Sequence, residues 1–269
     1  MTSPQIFDIP ERVAKHALLD SAQYEALYKR SIEDPEGFWS ERAKEFVTWF
    51  SPWKTTLEHD YNKAHIRWFQ GGELNVAYNC VDRHIEERGD KTAIIWIGNE
   101  PGDERKISYR ELHAGVGRVA NALKALGVTK GDRVAVYMPM VPELAMTMLA
   151  CARLGAIHSV IFAGFSAEAV RDRILDSKCK VVVTANEGLR GPKSIPLKNI
   201  VDTALEGVDC VSSVLVYRRT ESPCKLVPGR DVLWDDAVLK ASPDCPPERL
   251  DAEDPLFILY TSGSTGKPK

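Results

Sequence analysis

The chain has 269 residues, with 35 Lys plus Arg against 38 Asp plus Glu and a formal net charge of -3. That length can bury a full core in one large domain or two lobes, and the near-neutral balance lacks the basic field of a general nucleic-acid or anionic-membrane binder. At 44% hydrophobic and 27% charged, with 18 Gly and 16 Pro, the composition is that of an ordered globular protein, so any anionic small-molecule partner must be held by local groups.

No apolar run reaches the roughly 20 residues that cross a bilayer. The opening M-T-S-P-Q-I-F-D-I-P lacks the basic and apolar regions of a signal peptide, so the expected location is cytoplasmic. The six cysteines, Cys80, Cys151, Cys179, Cys210, Cys224 and Cys245, form no C-x-x-C pair and have no histidine at finger spacing. They read as reduced thiols, mostly filling core, with no metal site.

In chain order, residues 1 to about 80 combine charged helical stretches such as Asp20 to Arg30 with aromatic clusters at Phe38-Trp39, Trp49-Phe50, Trp53 and Trp68-Phe69. Little strand alternation is visible there. Four of the six tryptophans lie in this stretch, which suits an extension anchored on a main body; an aromatic ligand cage is the alternative. The division expected is an N-terminal extension over 1–84 and an α/β portion over 85–269.

From about residue 85 strands and helices alternate. Thr92 to Ile97 is an apolar, β-branched run that reads as a buried strand. Ser108 and Glu111 form a capping box, and Leu112, Val116, Val119, Leu123 and Leu126 follow with helical spacing up to Gly127. Then come strand Arg133 to Met138, helix Pro142 to Leu154 stopped by Gly155, strand Ile157 to Phe162, helix Ala167 to Ser177 and strand Lys180 to Thr184. A helix near Leu197 to Leu205, strand Val211 to Tyr217, helix Val232 to Ala241 and a buried strand Leu256 to Tyr260 complete the order. Such alternation predicts an α/β fold with a mostly parallel sheet flanked by helices, whose ligands sit beyond the carboxyl ends of the strands.

After the last predicted strand stand Thr261, Ser262, Gly263, Ser264, Thr265, Gly266 and Lys267. Glycines bring backbone N–H groups close to a phosphate, hydroxyls add donors, and the lysine adds mobile positive charge. A triphosphate or pyrophosphate fits this composition. The Walker loop does not match, since it needs four residues between its glycines and a Ser or Thr after its lysine; here two residues separate Gly263 from Gly266, and Pro268 follows Lys267. A plain Gly/Ser linker turn is the alternative reading.

The run I-L-Y-T-S-G-S-T-G-K-P-K, Ile258 to Lys269, resembles the signature of adenylate-forming enzymes: acyl-CoA synthetases, luciferases and peptide-synthetase adenylation domains. Leu74 to His84 (L-N-V-A-Y-N-C-V-D-R-H), Tyr137 to Glu143 (Y-M-P-M-V-P-E), Met148 to Phe162 and Ser194 to Lys198 resemble the acetyl-CoA synthetase branch. The likeness runs from about Tyr24 onward.

That resemblance implies activation of acetate by ATP, with Mg2+, and transfer of the acyl group to CoA. It implies that Thr261 to Lys267 grips the β- and γ-phosphates, and it places no catalytic residue or metal ligand in these 269 residues. The family's basic CoA stretch, R-G-G-R or R-A-G-R, aligns with Arg190, Gly191, Pro192 and Lys193; its Phe-Gly-Gly stretch against the CoA adenine aligns with Phe162, Ala163 and Gly164. Pro192, Lys193 and Ala163 depart from the pattern: Pro192 brings no N–H, Lys193 keeps the charge without an arginine's fork, and Ala163 adds a methyl group. The likeness also implies an incomplete large N-terminal domain, truncated at the phosphate loop and inactive alone. Propionyl-CoA synthetase, or a non-catalytic CoA- or nucleotide-binding module, are the alternatives.

Overall fold

The structure is a computed structural model that describes residues 7–261. Its N-terminal part comprises α1 (Glu11–Ala14), α2 (Ser21–Glu33), α3 (Pro35–Phe46), β1 (Thr55–Asp60), β2 (His65–Gln70), β3 (Glu73–Leu74), α4 (Val76–Cys80) and α5 (Ile85–Arg88). Next in the chain are β4 (Thr92–Ile97), β5 (Glu104–Ser108), α6 (Tyr109–Ala125), β6 (Arg133–Tyr137), α7 (Pro142–Leu154), β7 (Ile157–Val160), α8 (Ala167–Ser177) and β8 (Val181–Ala185). Last come β9 (Gly188–Arg190), β10 (Lys193–Ile195), α9 (Leu197–Ala204), β11 (Ser213–Tyr217), β12 (Asp231–Leu233), α10 (Trp234–Ala237), β13 (Leu250–Asp251) and β14 (Phe257–Ile258).

Six of these strands form the main sheet in the order β12-β11-β8-β6-β7-β14, and every pairing in it is parallel. The α/β prediction is therefore met. Strands β6 and β8 are buried on both faces, as their unbroken apolar runs require. On one face α6 and α7 pack Leu112, Val116, Val119, Leu123 and Cys151 against Val134, Val136 and Val183. On the other, α8 and α9 pack Val170, Ile174, Leu197 and Val201 against Ala135, Tyr137 and Val182.

Local signals act as expected at most helix ends. Ser108 Oγ accepts the Glu111 N–H while Glu111 accepts the Ser108 N–H at 2.8 Å. Pro142 opens α7, and Gly155 closes it with a left-handed φ of +68°.

Four elements differ from the sequence reading. Residues 55–70 form the antiparallel hairpin β1–β2, where the sequence shows little strand character. Its turn is closed by Ala64 in the left-handed region, φ 51°, instead of by a glycine, and its polar residues pair across the ribbon, Glu58 meeting both His65 and Gln70. Thr92 to Ile97 is not a buried strand: it pairs only with β5 in a separate two-stranded sheet, leaving Ile95 and Ile97 64% and 73% exposed. The helix expected over Val232 to Ala241 begins as β12, since Val232 and Leu233 add to the open edge of β11, and only Trp234–Ala237 is helical. The expected buried strand Leu256 to Tyr260 shrinks to Phe257–Ile258 on the other sheet edge, with Phe257 more than half exposed.

The N-terminal part is tied to the sheet body by polar contacts. Buried Asn75 donates from one amide nitrogen to the carbonyl oxygens of Ala152, Arg153 and Glu248 at 2.9–3.1 Å, satisfying acceptors at the α7 C-terminus. Arg153, 3% exposed, forms a bidentate pair with Asp82, both contacts at 2.8 Å. The tryptophans pack on one another: Trp49 lies 4.8 Å from Trp53, and Phe69 lies 5.4 and 5.0 Å from them. Among the cysteines Cys151, Cys179 and Cys245 are buried and all six are free. Burial pushes the Cys151 thiol up to about 12 and Cys179 to about 11, so both stay neutral packing groups.

A second buried charge cluster closes the opposite side. Lys198, with no exposed side chain, meets Asp202 at 2.7 Å and Asp231 at 2.8 Å, and Arg230 also pairs with Asp231. Burial pushes the Asp231 carboxyl up, but Arg230, Lys198 and the Val227 N–H outweigh it and hold the pKa below the ordinary aspartate value. A carboxylate depressed in the folded state contributes stability that is present above its unfolded pKa of about 4 and lost as pH falls through the folded value. The urea midpoint is therefore expected to fall as pH drops below about 4, with a shallower fall in Asp231→Asn. Removing the partner of Arg153 has a larger effect at neutral pH: Asp82→Ala leaves a buried guanidinium uncompensated and is expected to lower unfolding free energy by about 3–5 kcal/mol in urea titrations.

Candidate functional site

Parallel pairing brings the segments after β6, β7, β8 and β11 to one edge of the sheet. Chain order reverses across β6, whose neighbours β7 and β8 come after it in the chain yet lie on opposite sides, and at such a switch the outgoing loops diverge and leave a crevice. A cleft of about 370 Å³ lies there. Pro139, Met140 and Val141 line it from the end of β6, Phe162, Ala163 and Gly164 from the end of β7, Gly188, Leu189 and Arg190 from β9, and Arg219 from the end of β11. The β4–β5 hairpin supplies the remaining wall with Trp96, Ile97, Gly98 and Asn99.

Phe162 is 58% exposed and presents its ring to the cleft. The Arg190 guanidinium stands 5.9 Å from the centre of that ring, a cation-on-aromatic contact. Gly164 makes room for it, since a Cβ there would meet the Phe162 ring at 2.5 Å. Tyr137 fixes the same loop from below: burial pushes its phenol up to about 12, so it stays protonated and donates to the Phe165 carbonyl oxygen at 2.8 Å.

On the facing wall Arg219 lies 5.0 Å over Trp96 and pairs with Asp103 at 2.9 Å. The Trp96 indole donates to the Met140 carbonyl oxygen at 2.7 Å. Behind it Arg105 meets the buried Glu143 at 2.8 Å; burial works against the Arg105 charge, yet the Glu143 carboxylate holds its pKa above the ordinary value. With Asp103 engaged by Arg219, the cation left facing the cleft is Arg190, which has no carboxylate partner among the described residues. The arrangement offers apolar and aromatic surface with one available positive charge, a fit for an aromatic ring carrying anionic groups.

Phe162, Ala163, Gly164 and Arg190 are thus brought together from two separate stretches of sequence. Gly191, with a left-handed φ of +54°, forms the tip of the β9–β10 hairpin, and Pro192 and Lys193 continue it on the exposed outer side. Met140 falls within the Tyr137 to Glu143 segment quoted for its resemblance, but no role was assigned to it there, and Trp96 and Arg219 carry no motif in the sequence. Of the expected phosphate loop, Thr261 is the last described residue, and Ser262 to Lys267 lie outside the described residues. Tyr260, just before it, donates to Asp176 at 2.6 Å, and the Arg173 guanidinium stands 4.6 Å from the Phe165 ring and 5.2 Å from the Tyr260 ring.

The sequence model of the family described as AMP-binding enzyme matches residues 81–269, and one described as acetyl-coenzyme A synthetase N-terminus matches residues 24–80. The chain belongs to the AMP-binding enzyme family. It is 60% identical over 269 residues to an acetyl-coenzyme A synthetase of Halorhodospira halophila and 54% identical to one of Magnetococcus marinus, covering 100% of this chain and 42% of each relative. The chain therefore spans about two-fifths of the length of these curated relatives. Among solved structures, acetoacetyl-CoA synthetase from Streptomyces lividans matches with a TM-score of 0.82 and 26% identity, over 96% of this chain and 39% of that one.

Proposed function

We propose that the whole protein containing this chain is an AMP-forming acetate–CoA ligase, converting ATP, acetate and CoA to acetyl-CoA, AMP and pyrophosphate. An acetate oxygen attacks the α-phosphorus, the α–β phosphoanhydride bond breaks, and pyrophosphate leaves with its electron pair. The CoA thiolate then attacks the acetyl carbonyl, and the carbon–oxygen bond to AMP breaks. The observation that carries this reading is the cleft at the carboxyl edge, where Phe162, Ala163, Gly164 and Arg190 converge, together with the names of the relatives.

Within that scheme Arg190 meets a phosphate of CoA while Phe162 and Gly164 face its adenine, and the hairpin tip Gly191, Pro192 and Lys193 follows the nucleotide end. Thr261, Ser262, Gly263, Ser264, Thr265, Gly266 and Lys267 are assigned to the β- and γ-phosphates, stabilising the charge that develops on the leaving pyrophosphate. Magnesium accompanies the nucleotide in this proposal. The described residues offer it no group of three or more His, Cys, Asp or Glu side chains, and no ligand is assigned to it from them. The division into an extension over 1–84 and a body from 85 belongs to the same proposal; the Asp82–Arg153 pair and the Asn75 contacts are the bonds that would hold the two together. None of the described helices is long and apolar enough to cross a membrane.

Two measurements test the assignment in the whole protein. Arg190→Glu is expected to raise KM for CoA about 10- to 100-fold, the worth of one charge-assisted contact, with an unchanged KM counting against the cleft. Replacement of Lys267 by Ala is expected to slow acetate-dependent ATP–pyrophosphate exchange, and exchange at the parent rate would remove the loop from the mechanism.

A further inference from the structure

We propose that Asn99 is a positioning residue that holds the β9–β10 hairpin, and through it Arg190, in register with Phe162; the proposal rests on the CoA reading of the cleft. Its side-chain amide meets one residue twice. Asn99 Oδ1 accepts the Gly191 N–H at 3.2 Å, and Asn99 Nδ2 donates to the Gly191 carbonyl oxygen at 3.1 Å. The pair reproduces, with a side chain, the reciprocal bonding of two directly opposed residues in an antiparallel ladder. It joins positions 92 residues apart in sequence.

The β9–β10 hairpin needs such a tie. It has three paired positions, Arg190 opposite Lys193, Leu189 opposite Ser194 and Gly188 opposite Ile195, and Leu189 to Ser194 are exposed. A two-stranded ribbon this short has little rigidity of its own. Its tip residue Gly191 sits at a left-handed φ with nothing within 4 Å of a would-be Cβ, so side-chain packing does not define it either. Arg190 is the neighbour of that tip, and the direction of its guanidinium over Phe162 depends on where the tip is held.

The other end of the tie is anchored. The Asp103 carbonyl oxygen accepts the Gly98 N–H, Asp103 pairs with Arg219 at 2.9 Å, and Trp96 donates to Met140 at 2.7 Å. A Cβ on Gly98 would push the Asp103 carboxylate out of its present place. Asn99 thus projects from a hairpin fixed to the ends of β6 and β11, and it transfers their reference frame to the tip. The contact sets the position of the nucleotide-binding cation and touches no reacting atom.

The test is a kinetic comparison in the whole protein. Asn99→Ala is expected to raise KM for CoA roughly three- to tenfold while kcat at saturating CoA stays within about twofold, the effect of losing one or two net hydrogen bonds. Asn99→Asp keeps the acceptor for the Gly191 N–H but sets a carboxylate oxygen against the Gly191 carbonyl and the Glu100 carboxylate, and is expected to raise KM for CoA at least as much as Asn99→Ala; a parent-like KM in it counts against the tie. Amide hydrogen exchange over residues 188–195 should quicken in Asn99→Ala, an effect a merely structural role elsewhere would not produce. An unchanged KM in Asn99→Ala, alongside a raised KM in Arg190→Glu, overturns the positioning role and leaves the CoA reading intact. If neither variant alters KM for CoA, the CoA reading of the cleft itself is lost. A kcat loss in Asn99→Ala with KM unaltered also overturns the proposal.

Discussion

Strand β6 is hydrogen-bonded to β7 on one side and β8 on the other, and since every strand of the main sheet runs the same way, each connection must return across a face before the next strand begins. That single constraint fixes both the covering of the sheet and the location of the cleft. The returning segments are α7, α8 and α9, which bury the two faces, and the outgoing segments all emerge at one edge. A site assembled from residues 139, 162, 190 and 219 therefore needs no special fold: it is what remains when parallel strands stop at nearly the same height. The edge is also where backbone donors and acceptors are left unpaired, so polar chemistry collects there.

Apart from the Arg105–Glu143 pair behind the cleft wall, the buried ion pairs serve joining. Arg153 with Asp82 and Lys198 with Asp202 and Asp231 each fix a segment outside the main sheet: the stretch before α5 in one case, the long loop between β11 and β12 in the other. A hydrophobic contact between such short segments would tolerate sliding. A bidentate guanidinium–carboxylate pair fixes both distance and plane. The cost of desolvating these groups makes each pair intolerant of losing one member, and this is a different sensitivity from that of the sheet core, where volume decides.

How much of this the sequence displayed depended on whether a feature is local. The α6 capping box, the glycine stop of α7 and the apolar runs of β6 and β8 are encoded within a few residues and were legible. The α/β class came from their alternation. Thr92 to Ile97 misled because an apolar β-branched run states that a strand forms and says nothing of which sheet receives it; its partner, Glu104 to Ser108, is largely charged. Hairpin β1–β2 showed only a weak alternation, with Leu57, Ile66 and Trp68 on one face among mostly polar neighbours, and it turned on an alanine. At the site, Phe162 to Gly164 and Arg190 to Lys193 were found through resemblance to a family pattern. Trp96, Asn99 and Arg219 were invisible, since each acts through a partner 44 to 116 residues away.

Two separated parts of the proposed site also share one reference. Helix α8 starts directly after the Phe162–Phe165 loop, and its N-cap, Ser166, is the next residue. From inside that helix Arg173 places its guanidinium against both Phe165 and Tyr260, while Asp176 one turn further accepts the Tyr260 hydroxyl. Burial and this carboxylate push the Tyr260 phenol up to about 12, so it remains a donor. The residue that precedes Thr261 is thereby registered to the helix that starts where the Phe162–Phe165 loop ends. A strand as short and exposed as β14 would hold its outgoing loop poorly by its two paired positions alone; a cation between two rings, worth about 0.5–2 kcal/mol, and one strong hydrogen bond supply the constraint that the sheet edge does not. Because α8 is itself buried through Val170 and Ile174 against β6, both the Phe162 platform and the start of the proposed phosphate loop are measured from the same central strand.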